Sequence, residues 1–255
     1  MQLNIVAGEF EEIWQWTENT ASNPSGNINA IAYNVIDGIA YGLFSDTYPA
    51  GEAYLCRFSH VQNSTACLCK LPHWGFTAAI TRDGTYYLAK GGGEQIHKLE
   101  SVHSIANPPS SPAPVSSLST CTNFQKVQQG RGTGGAVNIE NWGLSLADMD
   151  TAYGIDHSSC TEPECTRSYM NVWTESGNAM TTWKPGGQNF ADYIDFEYRS
   201  ITYLIGLGAH DGSVAIIKLT GDGGGDVAGY AYSRVEVDYT GSSSSARTMT
   251  GFGAG

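Results

Sequence analysis

The chain has 255 residues, with 13 Lys or Arg against 25 Asp or Glu and a formal net charge of −12. That balance excludes a protein built to grip nucleic-acid phosphates, which needs clustered cations, and the cations here are scattered. No apolar run reaches the roughly 18 residues of a membrane helix.

With 31 Gly, 14 Tyr and 15% charged residues, the composition suits an all-β chain with many turns better than a helical one. The start, MQLNIVAGEF, lacks the basic and long apolar regions of a signal peptide. Residues 9–21, EFEEIWQWTENTA, read as one or two strands, since Trp-x-Trp and Thr favour the extended chain. A turn-rich loop over 19–27 follows. Residues 27–44, NINAIAYNVIDGIAYGLF, place two apolar runs around Asp37-Gly38, a strong hairpin signal. Residues 53–71, AYLCRFSHVQNSTACLCKL, read as a second hairpin with its loop near 60–63.

The same succession returns. Residues 75–90, GFTAAITRDGTYYLAK, turn on Asp83-Gly84, and 95–105 supply a partner segment. Residues 106–135 read as an exposed insertion, because NPPSSPAPVSS carries prolines that donate nothing to a sheet ladder. Residues 139–156 turn near Asp148 to Asp150, with a partner hairpin over 169–183. Residues 190–206 turn near Arg199-Ser200, with partners over 214–220 and 228–233. The tail, GSSSSARTMTGFGAG over 241–255, has the composition of a flexible linker. One repeat domain is therefore expected over 1–240.

Each first hairpin carries a Tyr early in its second arm. Tyr41, Tyr86, Tyr153 and Tyr203 fall 45, 67 and 50 residues apart. Four short strands in roughly 40–50 residues is the size of a propeller blade. The pattern of apolar arm, Asp-Gly-like turn, Tyr-bearing arm and second hairpin resembles extracellular β-propeller repeat proteins of a poorly characterised secreted type. The Gly-His and Trp-Asp signatures of WD40 and the fixed paired glycines of kelch are absent. The resemblance spans roughly residues 11–239 and implies five or six four-stranded antiparallel blades. The segment 11–20, EIWQWTENTA, looks like a second half-repeat with no first half before it, as where an N-terminal strand closes the ring. A linear array and a two-sheet sandwich are the competing architectures.

The six cysteines, Cys56, Cys67, Cys69, Cys121, Cys160 and Cys165, favour disulfides in an oxidising compartment. The CTEPEC loop is too loose for a redox CxxC, and no His follows Cys67 and Cys69 at zinc-finger spacing. Cys56 and Cys67 stand symmetrically about the loop of their hairpin, which places them opposite each other across two strands at disulfide distance.

Asn63-Ser64-Thr65 is an N-glycosylation sequon at a hairpin loop. The Pro-Ser stretch resembles the hydroxyproline-rich segments of algal and plant extracellular glycoproteins, which makes Pro108, Pro109, Pro112 and Pro114 candidate sugar carriers. Asp222 and Asp226 flank three glycines, and Asp148, Asp150 and Asp156 cluster. Neither set has EF-hand spacing, and both read as solvated turns.

The six histidines are His60, His73, His97, His103, His157 and His210, their spacing is no metal signature, and ordinary surface or core positions are the better reading. His73, His157 and His210 fall near ends of the organising hairpins, where an enzyme site would gather them. No GxSxG, HExxH or Walker loop is present, and no cofactor or metal is implied. Trp14, Trp16, Trp74, Trp142, Trp173 and Trp183 suit either sugar stacking or inter-sheet packing, and packing is the better reading.

The expectation is a secreted, glycosylated, disulfide-bonded structural or adhesive module. Its partners would be further copies of itself or other extracellular matrix proteins, with glycans as a second class. The competing readings are a polysaccharide hydrolase or lyase on a propeller scaffold and a lectin-like carbohydrate binder.

Overall fold

The structure is a computed structural model. It describes residues 2–4, 9–11, 27–45, 52–59, 64–75, 77–90, 95–106, 117–129, 143–144, 151–157, 168–174, 177–183, 190–198, 201–208, 214–219 and 230–235, with side chains from within 28–127. These residues form strands and turns throughout, apart from one 3-10 turn at Val102–Ser104. No helix among them is long and apolar enough to cross a membrane.

The strands group in chain order. β1 (Gln2–Asn4) and β2 (Glu9–Glu11) pair with each other. Sheet I is β3 (Asn27–Asn34), β4 (Ile39–Ser45), β5 (Ala53–Ser59) and β6 (Ser64–Leu71). Sheet II is β7 (Thr77–Ile80), β8 (Tyr86–Lys90), β9 (Gln95–Leu99) and β10 (Gln125–Gln129). Sheet III is β11 (Gly143–Leu144), β12 (Thr151–His157), β13 (Ser168–Thr174) and β14 (Gly177–Trp183). Sheet IV is β15 (Phe190–Tyr198), β16 (Ile201–Gly208), β17 (Val214–Leu219) and β18 (Tyr230–Val235). Every pairing within these sheets is antiparallel, and each sheet is an uncrossed meander. Their first strands stand side by side: β3 by β7, β7 by β11, and β11 by β15.

The Asp-Gly turns explain the first hairpin of sheets I and II. Gly38 (φ 70°) and Gly84 (φ 83°) take left-handed backbone that a Cβ would disfavour. The Asp before each glycine ties down the exit of the turn. Asp37 Oδ1 accepts from the Ile39 amide at 3.2 Å, and Asp83 Oδ1 accepts from the Thr85 amide at 3.1 Å. Such Asx bonds are what make Asp a turn residue.

The central strands are apolar on both sides because both sides are covered. On β4, Tyr41 and Leu43 enter the core shared with sheet II, while Phe44 joins a second cluster with Tyr54, Cys56 and Phe58. On β8, Tyr86 and Leu88 meet sheet I, while Tyr87 and Ala89 pack with Ala79 and Ile96 on the opposite face. A strand buried on both faces reads as a continuous apolar run. Tyr86, fully buried, donates its hydroxyl to the Ala30 carbonyl at 2.6 Å and so joins β8 to β3. Ala30 sits at φ 51°, inside a register shift between Asn29 and Ala32. The bulge turns the Ala30 carbonyl out of the β3–β4 ladder toward that phenol.

Two expectations need amendment. Residues 95–105 do not make a hairpin: only Gln95–Leu99 is strand, and its partner β10 lies within the segment read as an insertion. The chain also returns to sheet I before β10, pairing Thr120 with Lys70 in parallel.

Candidate functional site

The Cys69–Cys121 bond and a pair of histidines lie at the seam between sheets I and II. Three chain segments meet there: the link after β6, strand β9, and residues 117–124 ahead of β10.

The cysteines come first. Cys56 faces Cys67 in register across β5 and β6, and the two are joined by a disulfide with a Cα separation of 3.8 Å. Cys69 is joined to Cys121, with a Cα separation of 5.0 Å and a sequence separation of 52. Residues two apart in a strand share a face, so Cys67 and Cys69 should point the same way. They do not, because the register slips between Leu55 and Cys56: Leu68 is the extra residue, with Cys67 opposite Cys56 and Cys69 opposite Leu55. This bulge sends Cys67 into the cluster around Phe44 and Cys69 into the inter-sheet core. No described cysteine is free.

The second group is a cluster of rings. His73 Nδ1 lies 3.3 Å from the Trp74 carbonyl, and its Nε2 lies 3.2 Å from His97 Nε2. A carbonyl only accepts, so His73 Nδ1 carries a proton toward the Trp74 oxygen, and one of the two facing Nε2 atoms donates to the other. Phe124 stacks on His97 at 5.0 Å and 9°, and its ring centre is 5.3 Å from that of His73. The two imidazole centroids are 4.2 Å apart. Two imidazoles on one tetrahedral ion, with bonds of about 2.0–2.1 Å, would hold their centroids about 5 Å apart. The described residues also include no group of three metal-ligating side chains. The arrangement is that of a hydrogen-bonded imidazole pair packed on an aromatic ring.

The third is the Asp83 turn between β7 and β8. Burial alone would raise the Asp83 carboxyl, but hydrogen bonds from the Thr81 hydroxyl and the Thr85 amide outweigh it and hold the group below its ordinary range. His103 packs over Gly84, so close that a Cβ there would lie 2.5 Å from its Nδ1. On sheet I, burial and then the hydrogen bond to Asp37 push the Tyr41 phenol far above its usual value.

Of the three histidines near the hairpin ends, the structure brings His73 to His97 on β9. His157 ends β12, and the side chains of His157 and His210 lie outside the described residues. Also outside them are Asn63, in the β5–β6 connection, Pro108, Pro109, Pro112 and Pro114, Cys160 and Cys165, the Asp148–Asp150 and Asp222–Asp226 groups, and His60. So are Trp14, Trp16 and Trp142, while Trp173 and Trp183 lie on β13 and β14. Trp74 is buried in the inter-sheet core, as the packing reading expects. His97 and Phe124 carried no sequence signal, since a lone His in QIHKL and a Phe after a Pro-rich stretch match no motif. The Cys69–Cys121 bond did leave a trace: once Cys67 pairs across the hairpin, the second Cys of a CxC needs a partner elsewhere.

The site and fold define an all-β protein of antiparallel four-stranded sheets, disulfide-stapled at the seam between the first two. No family model and no curated protein matches the chain. Among solved structures, it is similar to one described as an oxidoreductase (glucose dehydrogenase) from Thermus thermophilus. There the identity is 14% and the TM-score 0.48, over 89% of this chain and 72% of that one. It is also similar to TolB from Acinetobacter baumannii, at 12% identity and a TM-score of 0.44, over 79% of this chain and 43% of that one. The strand order and packing above, rather than these likenesses, define the fold.

Proposed function

We propose that the chain is a β-propeller acting outside the cell as a structural or adhesive module, by binding or self-assembly. The propeller reading is supported by the sequence of uncrossed four-stranded meanders whose first strands stand side by side, and by the packing of sheet I on sheet II. The observation that carries the extracellular reading is the Cys69–Cys121 bond, which with Cys56–Cys67 leaves every described cysteine oxidised. Structural disulfides persist where the compartment is oxidising. The resemblance to secreted repeat proteins and the sequon at Asn63 point the same way.

The test is made on protein from its natural source. Intact mass is measured with and without reduction and deglycosylation, and size is measured by light scattering across concentration. The expected result is a mass above 27.3 kDa that falls on deglycosylation, sugars at Asn63 or at Pro108, Pro109, Pro112 or Pro114, and self-association or capture by matrix protein. A bare mass with six reducible thiols already free would refute the extracellular assignment.

A further inference from the structure

The link after β6 is held at three consecutive residues. His73 reaches β9 at His97, Trp74 fills the inter-sheet core, and Gly75 passes against β8 at Leu88 and Ala89. Neither Trp74 nor Gly75 titrates. The His73 contact does: it is a hydrogen bond between two ring nitrogens 3.2 Å apart, with one proton between them.

Such a contact tolerates one added proton and not two. With both rings neutral, one Nε2–H donates to the other Nε2. With one ring cationic, its Nε2–H donates to the neutral ring, and the bond is kept in charge-assisted form. With both cationic, two N–H groups point at each other, and two positive rings stand 4.2 Å apart between centroids. His97 is 7% exposed and His73 is half-buried, so water screens that repulsion poorly. The neighbours are these. Phe124 stacks on His97, and a ring face suits a single cation. Leu88 of β8 and Lys126 of β10 lie opposite His97 in register, and Lys126, though exposed, adds a like charge. Lys98, next along β9, falls on the alternate face and pairs with Glu100 at 3.3 Å. Pro72 and Trp74 on the link bring no ionisable group, and residues 117–124 bring only Cys121, which is bonded to Cys69.

We propose that the His73–His97 contact is an acid-sensitive clasp, which seats the link after β6 on sheet II at neutral pH and parts when both imidazoles are cationic. Parting frees His73 first and then draws Trp74 from the core, while the Cys69–Cys121 bond keeps residues 117–121 tied to β6. The seam therefore loosens at the link without separating the sheets. The sign follows from proton counting. In the unfolded chain both histidines charge freely as pH falls through about 6.5, whereas the folded pair takes up one proton fewer. The contribution of the clasp is complete above that pH and lost below it, and a one-proton difference raises the unfolding constant by up to about tenfold per pH unit.

The experiment uses the full oxidised chain and His73→Gln, whose amide can still hydrogen-bond to His97 but takes no charge. Denaturant unfolding is followed from pH 8 to pH ~4.5. Between pH ~6.5 and ~4.5 the unfolding constant of the parent is expected to rise more steeply than that of the variant, by up to about tenfold per pH unit. Equal slopes overturn the clasp. In the parent, nitrogen-15 resonances of labelled histidine report the charge of each ring, and the Trp74 indole resonance reports the seating of the link. One ring is expected to charge with Trp74 unmoved, and the second only as Trp74 shifts. Two rings that both become cationic with Trp74 in place overturn the proposal, and this titration decides alone should His73→Gln fail to fold.

Discussion

Gly75 sits in the link between sheets I and II, where the chain passes against β8. A Cβ built there would lie 2.4 and 2.6 Å from Leu88 Cδ1 and Cγ, and 2.8 Å from the Ala89 carbonyl oxygen. Gly75→Ala therefore meets a side chain buried in the core and a strand backbone, and neither has room to retreat. Overpacking of this kind costs typically ~1–3 kcal/mol, and the backbone contact puts the substitution at the upper end. The gain from stiffening the unfolded chain, about 0.4–1 kcal/mol, offsets part of that. A net loss of about 2 kcal/mol is expected, or about 4–8 °C in Tm at roughly 2–4 °C per kcal/mol for a chain of this size. The assay is denaturant unfolding of a double-mutant cycle. Leu88→Ala alone should cost about 2–5 kcal/mol through its cavity, but in its background the new Cβ at residue 75 gains space. Gly75→Ala should then cost about 1 kcal/mol less than in the parent, a coupling of the size contacting residues show. Strict additivity, or a neutral Gly75→Ala, would refute the close approach of the link to β8.

Two further predictions concern the seam. Tyr86→Phe leaves the Ala30 carbonyl without its donor and should cost about 1–3 kcal/mol. Burial holds the Tyr86 phenol well above its ordinary value, so the folded state keeps a proton that the unfolded chain loses near pH ~10. Its contribution is complete below that pH and lost as pH rises beyond it. The unfolding midpoint should fall in alkali less steeply in Tyr86→Phe than in the parent, and equal slopes would count against the assignment. At β6, deleting Leu68 restores an unbulged strand in which Cys67 and Cys69 still face opposite ways. Peptide mapping should recover both disulfides. Loss of either bond in that variant would contradict the bulge.

Much of the strand order was legible because the sequence punctuates it locally. Asp37-Gly38 and Asp83-Gly84 announce turns whose geometry only Gly tolerates easily, and the apolar arms beside them belong to strands covered on both faces. β10 was not legible. QKVQQ alternates nothing, Gln125 and Lys126 are exposed, and the prolines upstream argue for a loop. Its place is set by a long-range staple to Cys69 and by pairing with β9. The β6 bulge was hidden for a related reason: a strict two-residue alternation is the default, and only the opposed destinations of Cys67 and Cys69 betray the extra residue. The cross-strand Cys56–Cys67 pair was visible because hairpin symmetry fixes which residues face each other. His73 was singled out, but the contact that defines its environment, His97, lies 24 residues on and two strands over. No local pattern encodes such a pair.

The return of the chain from sheet II to sheet I also sets a timetable during synthesis. Cys56 can find Cys67 as soon as the β5–β6 hairpin has left the ribosome, whereas Cys69 must wait for a partner 52 residues downstream. At about 5–20 residues per second, that interval lasts about 3–10 s. For those seconds Cys69 has no partner, and the outer edge of β6 lacks its bridge to Thr120. The nascent chain is then most open to sulfur exchange between Cys67 and Cys69 and to premature contact between neighbouring chains. Where oxidation accompanies synthesis, Cys69 and Cys121 can join only after β7, β8 and β9 have been made, an order set by the spacing of two cysteines rather than by the stability of the finished protein.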